Sequence, residues 1–567
     1  MLTKNLSSFS NNWWVCGVLA TLAVTLPLLN AWLGYPIPVG FNAHYSTLGG
    51  VIPYSDANGY IMGANYFNDV GYLNSWNMRR PLNALFFAFR LKITNDNFWY
   101  SMLLQSALCA TSLTIYLRTI QKDLGFLATL LSLAFLFYYI QNFAHSTLSE
   151  ALGLTLGLLS FVLLWNGWLQ RNRLIFNIGM AALAVGLSAR AGPNFIAPAL
   201  FLLVYLHPFT SSRLNDMGWT IISFTIPFIL LTKLSTLFGD PAGSGMAFSN
   251  FGSTLYGLVN GGKSWSYAYQ DPHLQNLFAG KTEAQQAKIF YEESWRIFKA
   301  NPFNIVIGTI QYLGGFCYWF IRQFSFGIGI IHALTTIISV IFWLFIGFRI
   351  YIKRHSFKRE FLFLTIVFLG IAASSCIIWK DGGIRPFAVA IPFMGALFGL
   401  SFASLPPLIK QKNPEIILSI CVVVFIVLGS LLSPFIPSRT KIPDISALKA
   451  DQIIGQETFL TYTPNKQAHL IIDTAPGFHF RTISPDRLNS FLSVNEGMGE
   501  ELRKILEKKS LNKFALICIY DYISHSTKYI VSDLDILESQ EDWLLLHGTV
   551  TNEGTGIYRV DKFTGVP

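Results

Sequence analysis

The sequence predicts a polytopic α-helical membrane protein of about eleven transmembrane helices, with a C-terminal extracytoplasmic α/β domain. Three observations predict it. Of 567 residues, 52% are hydrophobic and only 13% charged, where soluble domains carry about 25% charged residues. Apolar runs recur, each near the roughly 20 residues that a bilayer-crossing helix needs. From about Ser438 the composition turns to that of a soluble domain. The chain therefore divides into a membrane module, 1–437, and a soluble part, 438–567.

The elements follow in order. The first run, 13–33, is longer than the apolar core of a signal peptide and is followed by no A-x-A site, so it is expected to stay as the first span. A polar and aromatic outer loop, 34–97, comes next. Apolar runs then lie at 98–117, 124–140, 147–168, 174–189, 193–206 and 217–238. A large outer loop, 239–325, precedes runs at 326–350, 361–379, 385–404 and 415–434. Within that loop the stretch 303–320 is apolar enough to span. Letting it do so would move the basic run from Lys353 to Arg359 outside, so it reads as an interfacial or re-entrant helix. In the tail, 469–473 and 514–520 read as strands, 500–509 as a charged helix, and 543–560 as a hairpin turning at Asn552–Gly556.

Charge sets the orientation. The loops from Arg118 and Lys122 to Lys410 and Lys412 hold twelve basic residues against three acids, Asp123, Asp216 and Glu360. The short loops 141–146 and 190–194 on the other side hold only Arg190. Basic loops stay in the cytoplasm, so the expected topology is multi-pass in the plasma (inner) membrane. The N-terminus is cytoplasmic and the tail extracytoplasmic. The net charge of +10 is explained by those loops and calls for no nucleic-acid partner. Of six cysteines only Cys518 lies in the tail, so no disulfide framework is evident.

Few ionisable residues lie outside the basic loops and the tail, and such residues at a membrane are costly enough to be functional by default. Asp56 heads a helix in which Tyr60, Ala64 and Phe67 share a face; it reads as a catalytic base or as a helix cap. Glu150 starts a span from the outer side, as a second catalytic acid or as a charge favoured by the helix dipole. Arg385 and Lys380 flank a Gly382-Gly383 pair whose backbone N–H groups leave room for an anion. Arg190, Arg79, Arg80 and Lys263 complete an outer-face set that fits a phosphate; singly, each reads as an interfacial anchor. Tyr60, Asp69, Trp265 and Tyr269 are grouped as substrate-contacting, with a solvated loop end the plain alternative for Asp69.

In the order of these features the chain resembles the GT-C superfamily of integral-membrane glycosyltransferases, which includes the protein O-mannosyltransferases and the lipid A aminoarabinose transferase. The carrying residues are Asp56-Ala57-Asn58-Gly59-Tyr60, Ala64, Gly71, Arg80-Pro81, Glu150 after Thr147-Leu148-Ser149, and Arg190-Ala191-Gly192-Pro193. They cover the first 210 residues or so; the later half is similar in architecture. Two departures stand out: a lone Asp56 where several relatives carry an Asp-Glu pair, and no Asp-x-Asp in the membrane module. The resemblance implies a polyprenyl-phosphate-linked sugar donor, transfer to a hydroxyl of a glycan, lipid or protein acceptor on the outer face, and inversion by single displacement. Asp56 and Glu150 are then catalytic, and Arg385, Lys380, Arg190, Arg80, Arg79 and Lys263 hold the donor phosphate. No cofactor is identified, and a divalent cation stays open. The alternatives are a lipid-linked glycan polymerase or ligase, disfavoured because loop 239–325 has only His273 and few arginines, and a lipid or glycan flippase, disfavoured because the first loop has no repeat partner.

Overall fold

The structure is a computed structural model. It describes residues 13–32, 47–48, 52–53, 56–73, 76–239, 246–278, 281–322 and 330–403, together with 471–473, 514–521, 526–533, 543–554 and 557–565 of the C-terminal part.

The membrane module is helical. Five described helical stretches are long and apolar enough to cross a membrane: Phe98–Leu124, Phe126–Phe143, Ser149–Leu169, Arg213–Leu237 and Lys358–Asp381. Shorter apolar helices lie at Trp13–Leu29, Arg173–Ala189, Ile196–Leu206, Trp343–Ile352 and Arg385–Leu400. The first ten expected runs thus fall on helices; the eleventh, 415–434, lies outside the described residues. The core runs through the bundle on aromatic and aliphatic contacts. Trp165 stacks on Phe161 at 5.3 Å between centroids, and Phe161 meets Phe393 edge-on at 5.2 Å.

The bundle has two ends of different character. At one end, Arg171 Nη2 donates to Pro208 O at 2.8 Å and Arg359 Nη1 to Leu169 O at 3.1 Å. Trp168 Nε1 donates to Arg359 O and Arg173 pairs with Asp216. At the other end the helices Ser149–Leu169 and Ile196–Leu206 begin, and Arg173–Ala189 and Lys358–Ile378 finish.

Both long expected loops carry helices. Region 34–97 contains Asp56–Val70 and Pro81–Ile93, and 239–325 contains Phe251–Val259, Glu283–Ala300 and Phe303–Arg322. Glu283–Ala300 starts with a full capping box, Thr282 and Gln285 each bonding the other's backbone N–H. Phe303–Arg322 runs into the bundle: Tyr312 donates to Lys263 O at 2.8 Å, Phe316 packs on Trp379, and Phe320 lies against Phe135 and Trp343.

The described C-terminal residues form a five-stranded sheet in the order β1 (Ile471–Asp473), β4 (Trp543–Gly554), β5 (Ile557–Gly565), β3 (Ser526–Asp533), β2 (Phe514–Asp521). All neighbours are antiparallel except β3 and β5. The expected hairpin is the β4–β5 pair, and β3 is additional to the expected strands. The expected helix 500–509 lies outside the described residues.

Candidate active site

The site is assembled at the end opposite the basic contacts, and glycines permit it. A Cβ at Gly157 would stand 2.7 Å from Val389 O, one at Gly153 2.9 Å from Arg190 Cβ, and one at Gly192 2.0 Å from Pro386 O. The Ser149–Leu169 helix therefore lies directly on the Arg385–Ala390 turn and on Arg190. That turn follows Gly382 (φ 131°) and Gly383 (φ 63°), in the left-handed region that costs glycine little. Pro386 then fixes the start of the next helical turn.

Four segments far apart in sequence meet here. Arg385 Nε donates to Glu150 Oε1 at 2.7 Å, and its Nη2 to Asp56 Oδ2 at 3.0 Å. Arg190 Nη2 lies 3.3 Å from the same Glu150 oxygen, while its Nε reaches Arg385 O at 3.5 Å. Arg80 Nη1 donates to Tyr60 Oη at 2.9 Å, Tyr60 donates to Ser149 Oγ at 3.3 Å, and Ser149 to Glu150 Oε2 at 3.3 Å. The Asp56 helix is held in place by Thr147 Oγ1, which donates to Ala57 O at 2.6 Å, and by Trp76, edge-on to Tyr60.

These groups surround a cavity of about 380 Å³. Its wall includes Asp56, Tyr60, Arg79, Arg80, Arg190, Arg385, Trp265 and Tyr269 from the sequence-predicted set. The wall also includes Gly382 of the Gly382-Gly383 pair, and Trp76, Asn250, Ser253 and Asp381, which sequence reasoning did not select. Trp76 and Asp381 sat inside stretches already singled out, but the latter was read for its cations. Asn250 and Ser253 precede or occupy an uncharged apolar helix and give no signal.

Two placements change the expected roles. Glu150 is fully buried and absent from the wall; it lies behind Arg385 and Arg190 and holds both. A carboxylate so enclosed positions guanidiniums and does not reach a ligand in the cavity. Lys380 and Lys263 are not on the wall either. Lys380 Nζ is drawn to Gly262 O, with Gln311 Oε1 at 3.4 Å, and sits over the Tyr312 ring; Lys263 Nζ lies over Tyr267 at 5.9 Å. Carbonyl oxygens thus hold the Lys380 ammonium, and an aromatic face lies under that of Lys263. Asp69 is near the end of the Asp56–Val70 helix, and its side chain lies outside the described residues.

Charge decides what the cavity accepts. Four arginines and two aspartates line it. Arg80 has no carboxylate partner among the described residues, and Arg190, 2% exposed, keeps a buried Nη1 with no hydrogen-bond partner. Burial works to raise the Asp56 carboxyl, but Arg385 and Arg80 outweigh it and hold it below the ordinary carboxylate range. Among the described residues no group of three or more His, Cys, Asp and Glu could hold a metal ion.

No family model and no curated protein matches this chain.

Proposed function

We propose that this protein is a membrane glycosyltransferase of the GT-C type. It moves a sugar from a polyprenyl-phosphate-linked donor to the hydroxyl of a glycan, lipid or protein acceptor, with inversion. The observation that carries this reading is the cavity wall itself: four guanidiniums against two carboxylates, with Arg80 and Arg190 still holding unused donor capacity. Such a wall suits a phosphate, which guanidinium binds through charge-assisted and often paired hydrogen bonds.

The remaining groups fit the rest of the donor. Tyr60, Trp76, Trp265 and Tyr269 offer the flat apolar faces on which a sugar ring can rest. For the lipid tail, Phe224 stacks on Phe228 at 5.6 Å and Phe228 on Phe248 at 6.1 Å. Phe248 N in turn donates to Arg79 O at 3.0 Å. This ladder leads from the Arg213–Leu237 stretch, of which only 11% is buried within the protein, to the cavity rim. In the reaction the acceptor oxygen attacks the anomeric carbon while a wall carboxylate takes its proton. The phosphate leaves into the guanidiniums, whose charge stabilises it most as the bond breaks.

The basic contacts at one end of the bundle support a cytoplasmic position for that end. The cavity then opens extracytoplasmically at the plasma (inner) membrane, with eleven spans, a cytoplasmic N-terminus and the C-terminal sheet outside. Purified protein incubated with a panel of polyprenyl-phosphate sugars is expected to release polyprenyl phosphate from at least one. Release from none, with transbilayer movement of a lipid-linked glycan instead, overturns the reading in favour of a flippase.

A further inference from the structure

The cavity holds two carboxylates, and they differ in what they already bind. Asp56 Oδ2 is occupied by Arg385 Nη2 at 3.0 Å. Asp381 forms no ion pair among the described residues; its one side-chain partner is Thr254, whose Oγ1 donates to Oδ1 at 3.1 Å. The neighbour that could neutralise it, Lys380, is drawn away to Gly262 O and Gln311.

We propose that Asp381 is the general base that takes the proton of the acceptor hydroxyl, and that Asp56 instead clamps Arg385 for the donor phosphate. This rests on the glycosyl-transfer reading given above.

The argument is one of competition for the same lone pairs. A carboxylate ion-paired with guanidinium is a poor proton acceptor, because protonation forfeits the pair. Base strength contributes most when the group's affinity for the proton lies near the working pH. Asp381 makes no direct ion pair among the described residues; Arg190, Arg80 and Arg385 act on its charge from farther off, and Thr254 fixes its orientation. Its seat is rigid. Trp379, two residues before it, is buried against Phe316 at 5.5 Å and Phe387 at 5.8 Å. Gly382 and Gly383 then turn the chain so that Arg385, four residues on, lines the same cavity. One short turn thus contributes both a proton acceptor and a phosphate-binding group to the wall of one cavity.

The step balances. The acceptor oxygen's lone pair forms the new C–O bond and its proton moves to Asp381. The bond from the anomeric carbon to phosphate oxygen breaks, with its electron pair leaving on the polyprenyl phosphate. Protonated Asp381 then returns its proton to water.

Azide separates this role from a structural one, because an anionic nucleophile needs no base. The probe is a polyprenyl-phosphate sugar that the unmodified protein turns over, with polyprenyl phosphate release followed in water alone and in added azide. Asp381→Asn keeps the acceptor for Thr254. It is expected to slow release in water about 10²–10⁴-fold, to leave donor Kd unchanged or tighter, and to recover to within a few-fold of the unmodified protein with azide, yielding inverted glycosyl azide. Thr254→Val, which loses only the hydrogen bond between the segments, is expected to slow release less than tenfold. Asp56→Asn is expected to weaken donor binding equally for both nucleophiles. Water-dependent release by Asp381→Asn within threefold of the unmodified protein overturns the assignment while leaving the function standing. So does a loss that azide fails to restore. If the unmodified protein releases polyprenyl phosphate from no donor, function and assignment fall together.

Discussion

Glu150 shows how much a single residue's place decides. Its carboxylate is fully buried with Arg385 at 2.7 Å and Arg190 at 3.3 Å, so Glu150→Gln leaves the buried Arg190 without its counter-ion and Arg385 with Asp56 alone. Breaking a buried pair typically costs about 3–5 kcal/mol. The expected outcome is a large drop in thermal unfolding temperature in detergent, seen before any assay of turnover; an unshifted midpoint with lost turnover returns Glu150 to the chemistry. Arg385→Ala removes a charged contact worth about 1.5–3 kcal/mol. It is expected to weaken polyprenyl-phosphate-sugar binding about ten- to hundredfold in a titration. Asp56 also answers to pH. Its folded pKa is depressed, so the clamp it provides is complete above the ordinary carboxylate value near 4. The clamp is lost only as pH falls through the lower, folded value. An acidic limb in the rate profile above pH 5 therefore belongs to another group. Asp56, Arg80, Arg190 and Arg385 were legible in the sequence because ionisable residues are scarce around spans. The pairing of Arg385 with Glu150, 235 residues away, is a tertiary fact that no local pattern encodes.

The helices themselves were legible for a simple reason: apolar runs near 20 residues have few other stable forms in a bilayer. The Asp56–Val70 helix was readable too, since Tyr60 and Ala64 recur at helical spacing and both are buried. Pro81–Ile93 was not, because it ends in Arg90 and Lys92 and sits in a stretch that hydropathy marks as loop. Arg90 is nonetheless 2% exposed, bonding Ser101 O at 3.0 Å beneath Phe87. The least legible feature is the contact between elements. Gly153, Gly157 and Gly192 look like ordinary glycines in apolar sequence, yet they let one helix rest on the Arg385 turn. Gly157→Ala puts a methyl 2.7 Å from Val389 O, backbone that cannot swing aside. Overpacking of this kind costs about 1–3 kcal/mol. Lower thermal stability together with weaker donor binding is expected, since the shift moves Glu150 relative to Arg385. A variant as stable as the unmodified protein would mean the two elements separate freely.

For the whole molecule, the question is which ends of the bundle share a side of the membrane, and Phe303–Arg322 decides it. The helix enters beside the cavity, with Gly308 close to Leu258 and Gly262 and Tyr312 bonded to Lys263 O. By Phe320 it has reached Phe135, midway along Phe126–Phe143, and Trp343 at 4.1 Å. Trp343 belongs to Ile330–Lys353, which continues to Arg349 on Ser401 O and to the turn before Lys358, at the basic end. A helix that dips to mid-depth and a following one that crosses put Lys281 and Ser356 on opposite sides. Two full crossings would put them on the same side and strand the basic residues Lys353 to Arg359 outside, against the charge rule. Epitope tags inserted at Lys281 and at Ser356, read by protease and antibody access in intact cells, separate the cases. Lys281 is expected to be reached from outside, Ser356 only after permeabilisation, and a tag after Pro567 from outside. Access to Lys281 and Ser356 from the same side would make Phe303–Arg322 a full span and change the side on which the C-terminal sheet lies.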